Sequence, residues 1–454
     1  MKPWLFILWL VGCGQASGPH PPAQVQQESA GPLELGRALL QQRRYPEALA
    51  AYQEARRLYP DSGEACAGLG RAYLALGDAD QALGFYEMAA TLEEGNAGLR
   101  LTLGHVYLQL NRLDQAEATL QRAMALDTSL AFTAHHHLGA VYTRQGRHSM
   151  AAQQFEAALS RRTDHVQTRY NLALVWLHLG RLAQARQELE RVLEAQPGAA
   201  AAACALGEIL AKENQPDQAL KAFDRALKAD STYARAEWQR GVILAQQGRQ
   251  EEAVAALRRA ILAEPGLAEP YRWLGQLYLR QGKTSAGEKS LEAYQKVQKV
   301  EKQIELFRER LRQDPDDAEA NYSLGYLYGK LGFYPVALPL YQRALAINPG
   351  YLSAYNNLGN IYLRLGQPDQ AIAAYEQSLR LDSTRASSFG NLGQAYLLQG
   401  KNPQAIQALE RALGLDPGLT QAHQDLSVAY RNLGDLVRSQ AHRQQVDKLS
   451  GKGR

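Results

Sequence analysis

Seven of the ten histidines fall between residues 105 and 178: His105, His135, His136, His137, His148, His165 and His178. Imidazole is a common metal ligand and the side chain that titrates nearest neutral pH, so such a cluster raises metal binding or proton transfer first. A metal site, however, needs two or three ligands on one wall with partners behind them. No HExxH, paired-cysteine or carboxylate–histidine spacing supplies these, so no metal is expected. No GxxxxGK[ST] run exists to cradle a phosphate, and no GxSxG run to expose a nucleophilic serine. Acidic residues sit at expected helix caps and outer faces, where solvation explains them. Neither catalysis nor a cofactor is therefore expected.

The charge pattern removes another class. Net charge is +4, built from 50 basic and 46 acidic residues of interspersed sign. No basic stripe with interleaved aromatics appears, so nucleic acid is not an expected partner. Only 448–454 is locally basic, and 450–454 reads as a frayed tail. Of the three cysteines, Cys66 and Cys204 fall inside expected helices far apart in sequence. They read as small buried apolar residues.

The N-terminus carries an address. Lys2 precedes the apolar run Leu5-Phe6-Ile7-Leu8-Trp9-Leu10-Val11, which is too short to span a bilayer, so residues 1–12 read as a signal peptide. The run ends in Leu10-Val11-Gly12-Cys13, which resembles the bacterial lipoprotein box. That resemblance implies a diacylglycerol on the Cys13 sulfur, and Gly14 after it points to an outer-membrane lipoprotein facing the periplasm. A secreted protein, or one on the outer face of a single membrane, is the alternative. Residues 13–28 are rich in Pro, Gln, Gly and Ser and read as a flexible tether after the acylated cysteine.

The remaining chain must position whatever function exists, and it is periodic. Glycines recur at Gly36, Gly70, Gly104, Gly139, Gly207, Gly241, Gly275, Gly325, Gly359 and Gly393, each after a leucine except Gly241, with Ala173 and Ser427 filling two further places. The spacing is 34 residues throughout, apart from one of 35 and one of 50. Three residues on stands a large apolar side chain, such as Tyr107, Trp176, Tyr362 or Tyr430. Twelve residues on stands alanine, from Ala48 to Ala405. Within 352–385, Leu358, Ile361, Tyr362 and Leu365 form one helical stripe, and Ala371, Ile372, Tyr375 and Leu379 a second. Gly366 suits the left-handed residue that ends the first helix, and Pro368 the first turn of the next. Gly or Asn holds the same offset elsewhere, with Arg43 the exception.

This pattern resembles the tetratricopeptide repeat, whose period and signature it matches over about residues 29–449. The resemblance implies an all-α, right-handed superhelical solenoid of antiparallel helix pairs, whose first helices line a concave groove for proteins or extended peptides. Residues 29–294 make an N-terminal block of about eight repeats. Residues 295–317, with Val297, Val300, Ile304, Phe307 and Leu311 spaced as a helical seam, read as a helical linker in which a lengthened helix packs that seam on an adjoining repeat, a coiled-coil dimer contact being the alternative. Residues 318–449 make a C-terminal block with a capping repeat. The family's groove positions fall here on Tyr322, Tyr326, Lys330, Asn356, Asn357, Asn360, Arg364, Asn391, Gln394, Arg431 and Asn432, and among the histidines on His105, His136 and His178. Amide side chains donate to and accept from a peptide backbone at once. Asn171, Asn357 and Asn391 are similar in position to the asparagine ladder in the repeat domain of O-linked N-acetylglucosamine transferase, but this chain has no room for that enzyme's catalytic domain.

The function implied is a non-enzymatic scaffold tethered by lipid to the bacterial cell envelope, gathering protein partners during complex assembly, with no small-molecule substrate. An accessory subunit presenting substrates to a separate transferase or peptidoglycan hydrolase is the alternative. Labelled palmitate is expected to enter the wild-type protein and to be absent from Cys13→Ala. Equal labelling of both would remove the lipid anchor.

Overall fold

The computed structural model describes residues 31–450, so the expected signal peptide, Cys13, its tether and the last four residues lie outside it. The described residues hold twenty-four α-helices and no strand. In one compact unit, reaching to Ile243, these are α1 (Pro32–Gln41), α2 (Tyr45–Leu58), α3 (Gly63–Ala75), α4 (Ala79–Leu92), α5 (Ala97–Gln109), α6 (Leu113–Leu126), α7 (Ala131–Arg144), α8 (His148–Arg161), α9 (Val166–His178), α10 (Leu182–Ala195), α11 (Ala200–Lys212) and α12 (Pro216–Ala229). Helix α13 (Ala234–Gln246) contains the boundary. The second unit holds α14 (Gln250–Ala263), α15 (Glu269–Arg280), α16 (Thr284–Gln313), α17 (Ala318–Leu331), α18 (Tyr334–Ile347), α19 (Leu352–Arg364), α20 (Pro368–Leu381), α21 (Ala386–Leu398), α22 (Asn402–Leu415), α23 (Thr420–Asn432) and α24 (Leu436–Leu449).

Each pair is closed by a left-handed residue. Gly366 has φ 72°. The Gly366 N–H donates to the Leu363 carbonyl at 3.1 Å and the Gln367 N–H to the Tyr362 carbonyl at 2.9 Å. Those two bonds satisfy carbonyls that the helix end leaves open. Asn111 and Asn214 hold the same conformation. Arg43, the sequence exception, holds it as well, at φ 59°. The pairing therefore imposes the turn even where the side chain disfavours it by roughly 1–2 kcal/mol.

Pairs close tightly because the crossing residues are small. All ten alanines of the periodic series, Ala48 to Ala405, have 0% exposure, so none has room for a larger side chain. At Gly359 an added Cβ would stand 2.4 Å from Cε1 of Tyr375, whose ring covers the glycine. Phe155 and Phe223 cover Gly139 and Gly207 in the same way. Between pairs, tyrosines of first helices bond to carboxylates of the preceding second helix. Tyr107 donates to Glu87 at 2.7 Å and Tyr430 to Glu410 at 2.7 Å.

The irregular spacing resolves into one helix. Helix α16 is 30 residues long, where the other second helices have 14. Residues 295–313, expected as a lengthened helix within the linker, are its continuation. The helix persists because its seam finds partners along its whole length. Val297 packs with Ala268 and Tyr271, while Val300, Ile304, Phe307 and Leu311 pack on the core of α17 to α19. Gly287, standing where alanine is the rule, faces Gly275 so closely that a Cβ on either would lie 3.1 Å from the other's carbonyl oxygen. The compact units divide inside α13 rather than at 295–317.

Two glycine substitutions separate crossing positions from those with open space for a Cβ. Gly359→Ala should destabilise by about 1–3 kcal/mol through overpacking against Tyr375. Gly390→Ala in α21 meets nothing within 4 Å and should stabilise by about 0.5–1 kcal/mol through helix propensity. Urea unfolding of the two variants should give opposite shifts in midpoint.

Candidate functional site: the inner face of the first helices

In the second unit the first helices α17, α19, α21 and α23 touch one another directly along the stack. Side chains three or four residues apart on a helix share a face. Tyr322, Tyr326 and Lys330 thus form one stripe on α17; Asn356, Asn360 and Arg364 form the matching stripe on α19; Asn391, Gln394 and Leu398 continue it on α21. These neighbours interact. The Asn357 amide donates to the Tyr322 hydroxyl at 3.1 Å, and the Asn391 amide to Asn356 Oδ1 at 3.2 Å. Asn360 Oδ1 accepts the Tyr375 hydroxyl at 2.7 Å, which satisfies a fully buried phenol. Tyr322 is itself packed against Tyr351, with ring centroids 4.6 Å apart. Tyr326 remains 48% exposed, and Lys330 and Arg364 are exposed. The stripe therefore combines a rigid aromatic end, an amide middle and a cationic end.

In the first unit, histidines converge across α5, α7 and the start of α9. The His105 and His137 rings lie 4.7 Å apart, and His136 lies 5.5 Å from both His137 and His165. Thr168 Oγ1 ties two of them, at 2.8 Å to His136 Nδ1 and 2.7 Å to His165 Nδ1. His148 and His178 stack separately at 4.8 Å. Burial pushes His136 down to about 4 and His137 down to about 3, and the neighbouring imidazoles add to the effect. His105, His165 and His178 are also lowered, by burial first. Arg144 adds to the effect at His105, Arg162 at His165, and His148 and Lys212 at His178, while Asp164 opposes it at His165. The cluster is thus held neutral. Among the described residues no group of side chains is arranged to hold a metal ion. Cys66 and Cys204 are both buried and free.

Models of the tetratricopeptide repeat match residues 33–97 and 204–268, 74–131 and 142–208, and 316–384 and 351–418. Together they cover well over half of the sequence. The chain belongs to the tetratricopeptide-repeat family. Among solved structures it is similar to a crystal structure of MamA, at 21% identity over 39% of this chain and 95% of that one, with a TM-score of 0.32. Residues 41 to the end of MamA from Desulfovibrio magneticus RS-1 give 24% identity, 41% and 96% coverage, and a TM-score of 0.32. The P58(IPK) TPR domain gives 20% identity, 89% and 97% coverage, and a TM-score of 0.26. No curated protein matches the chain.

Tetratricopeptide repeats are typically non-catalytic modules that bind proteins or peptides, and this chain is a protein-interaction scaffold. Sequence reasoning placed the groove residues of this repeat protein on one face but did not foresee that they bond to one another. That information lies in the spacing between neighbouring repeats. It also missed an apolar concavity between α16 and α17, lined by Gln303, Leu306, Phe307, Tyr322, Ser323, Tyr326 and Leu327. Only the continuity of α16 reveals it. No described helix is long and apolar enough to cross a membrane.

The histidines give the first unit a pH dependence of definite sign. Their folded pKa values lie below the unfolded value of about 6.5, so the unfolded chain binds more protons in acid. Stability is therefore fully present above about pH 6.5 and declines as pH falls towards the folded values near 3 to 4. The slope is at most about 1.4 kcal/mol per pH unit for each group. His136→Gln with His137→Gln should flatten the fall in melting temperature between pH 7 and pH 5. An unchanged profile would show that the pair does not titrate on unfolding.

Proposed function

We propose that this repeat protein is a non-catalytic scaffold whose second unit holds an extended peptide of a protein partner against α17, α19 and α21. We further propose that a lipid on Cys13 tethers it to the bacterial cell envelope, where it serves complex assembly. The observation that carries the binding reading is the chain of amides Asn356, Asn357, Asn360, Asn391 and Gln394 beside Tyr322 and Tyr326. Asn357 donates to Tyr322 and also bonds to Tyr341, which leaves its carbonyl as an acceptor, while Asn391 after its one internal bond keeps a carbonyl acceptor and a second N–H. Together they therefore meet the alternating donors and acceptors of an extended backbone. Tyr326 offers apolar area with a polar tip. The tether reading rests on the apolar run ending in Gly12-Cys13.

Partners cross-linked in native membranes supply the test. Each lost side-chain–backbone bond should cost about 1 kcal/mol, so Asn357→Ala with Asn391→Ala should weaken the recovered partner by about tenfold or more. Helical content by circular dichroism should stay the same. His136→Ala with His178→Ala should leave that affinity unaltered. Normal binding by the double asparagine variant would remove the groove assignment.

A further inference from the structure

The extension of α16 adds something that the repeat period does not supply. Its inward seam, Val300, Ile304, Phe307 and Leu311, packs on the core of α17 to α19. Its neighbouring face leaves Leu306 58% exposed beside Tyr326, which is 48% exposed. Between them lies an open concavity of about 410 Å³, floored by Phe307, Tyr322 and Leu327 and edged by Gln303. That volume is near the lower end of ligand clefts, which run from roughly 300 to 1,000 Å³. It suits one bulky side chain. Two large apolar groups left in water at the rim of a cleft lose their hydration penalty when such a side chain covers them.

The surrounding charge selects what else the occupant carries. Lys302 and Lys299 lie one and two turns before Leu306 along α16, and both are exposed. Lys330 ends the Tyr322–Tyr326 stripe of α17, and Arg364 ends the amide stripe of α19, both exposed. Among the described residues none of these four cations has a carboxylate partner. The acids on the inner positions of the same unit are occupied: Glu269 pairs with Arg272, Glu319 with Arg310, and Asp425 accepts from Gln421. The inner face next to the pocket therefore presents unpaired positive charge.

We propose that the concavity between α16 and α17 is an anchor pocket for one bulky apolar side chain of an acidic, extended peptide. The proposal rests on the peptide-groove reading above and adds the peptide's chemistry to it. Neighbouring packed helices lie about 8–10 Å apart, and an extended chain rises about 3.3 Å per residue. Acidic side chains about three residues apart, downstream or upstream of the anchor, therefore meet Lys330 and Arg364 in turn. The carboxylates bond to cations at helix C-terminal ends, where positive charge is itself favoured.

The test is selection of a displayed library of random peptides, about twelve residues long, on the full chain. A recovered peptide is then synthesised and titrated by fluorescence anisotropy. Recovered sequences should share a large apolar residue with acidic residues about three apart. Leu306→Asp should weaken the synthetic peptide about tenfold or more, as should Lys330→Glu with Arg364→Glu, and the wild-type affinity should fall with added salt. Because Leu306 and both cations are exposed, thermal melts of all variants should match wild type. If Leu306→Asp binds within about twofold of wild type while Asn357→Ala with Asn391→Ala is impaired, the anchor is wrong and the groove stands. If neither variant matters, both readings fail. Recovery of basic or charge-neutral sequences, or of none, overturns the proposal. So does a concentration-dependent dimer in sedimentation that Leu306→Asp dissolves, since the pocket would then hold a second copy.

Discussion

Every larger feature of this molecule depends on how closely two helices cross at a glycine and an alanine. Where Gly359 meets the α20 helix, there is no space for a methyl group, because the Tyr375 ring occupies it. The same residue that forbids a side chain on one helix thus supplies the packing area from the other. Dispersion contacts are individually small and collectively decisive only at such distances. A pair closed in this way still has an uncovered apolar flank, which only the next pair can bury. The alanines at 0% exposure mark where that burial is complete.

Close stacking then decides what the inner face can be. First helices of neighbouring pairs in the second unit touch, so side chains one repeat apart come within hydrogen-bond reach. Asn391 reaches Asn356 and Asn357 reaches Tyr322 for this reason. On the other flank, tyrosines three residues beyond the crossing glycine reach back to glutamates, as Tyr396 does to Glu376 at 3.3 Å. Polar bonds therefore lace the repeats together on both flanks of an apolar seam. They carry directional information that the seam itself lacks.

Much of this was legible in the sequence, and the limit has a physical form. A period of 34 residues, a glycine at the crossing and a left-handed residue at the turn are local demands on residue type, so each leaves a mark. Arg43 shows the complement: the turn geometry persists at φ 59° without its usual residue, because pairing outweighs a local preference. The seam spacing after Gly287 marked a lengthened helix packing on an adjoining repeat, and α16 runs through that stretch. What left no clear mark was which side chains of neighbouring helices the seam would meet and what they would leave uncovered. The anchor concavity follows from those contacts, and so was hidden. The histidine cluster, from which no metal was expected, has a property that only packing sets: burial lowers His105, His136, His137, His165 and His178.

The internal bonds of the asparagines bear on affinity in a way that a count of free donors would miss. An amide that is tied to a neighbour has already lost most of its rotamer freedom before any ligand arrives. Ordering a rotamer-rich side chain on binding costs about 0.5–1.5 kcal/mol. Asn357, held by Tyr322, and Asn391, held by Asn356, forgo most of that cost. Tyr322 is in turn fixed between Tyr341 and Tyr351. Donors are given up to neighbours, but an acceptor at each amide and a second donor at Asn391 are held in position. For a ligand whose backbone presents one donor and one acceptor at a time, position matters more than number. The same closeness of helices that the crossing glycines impose therefore preorganises the face that meets the partner.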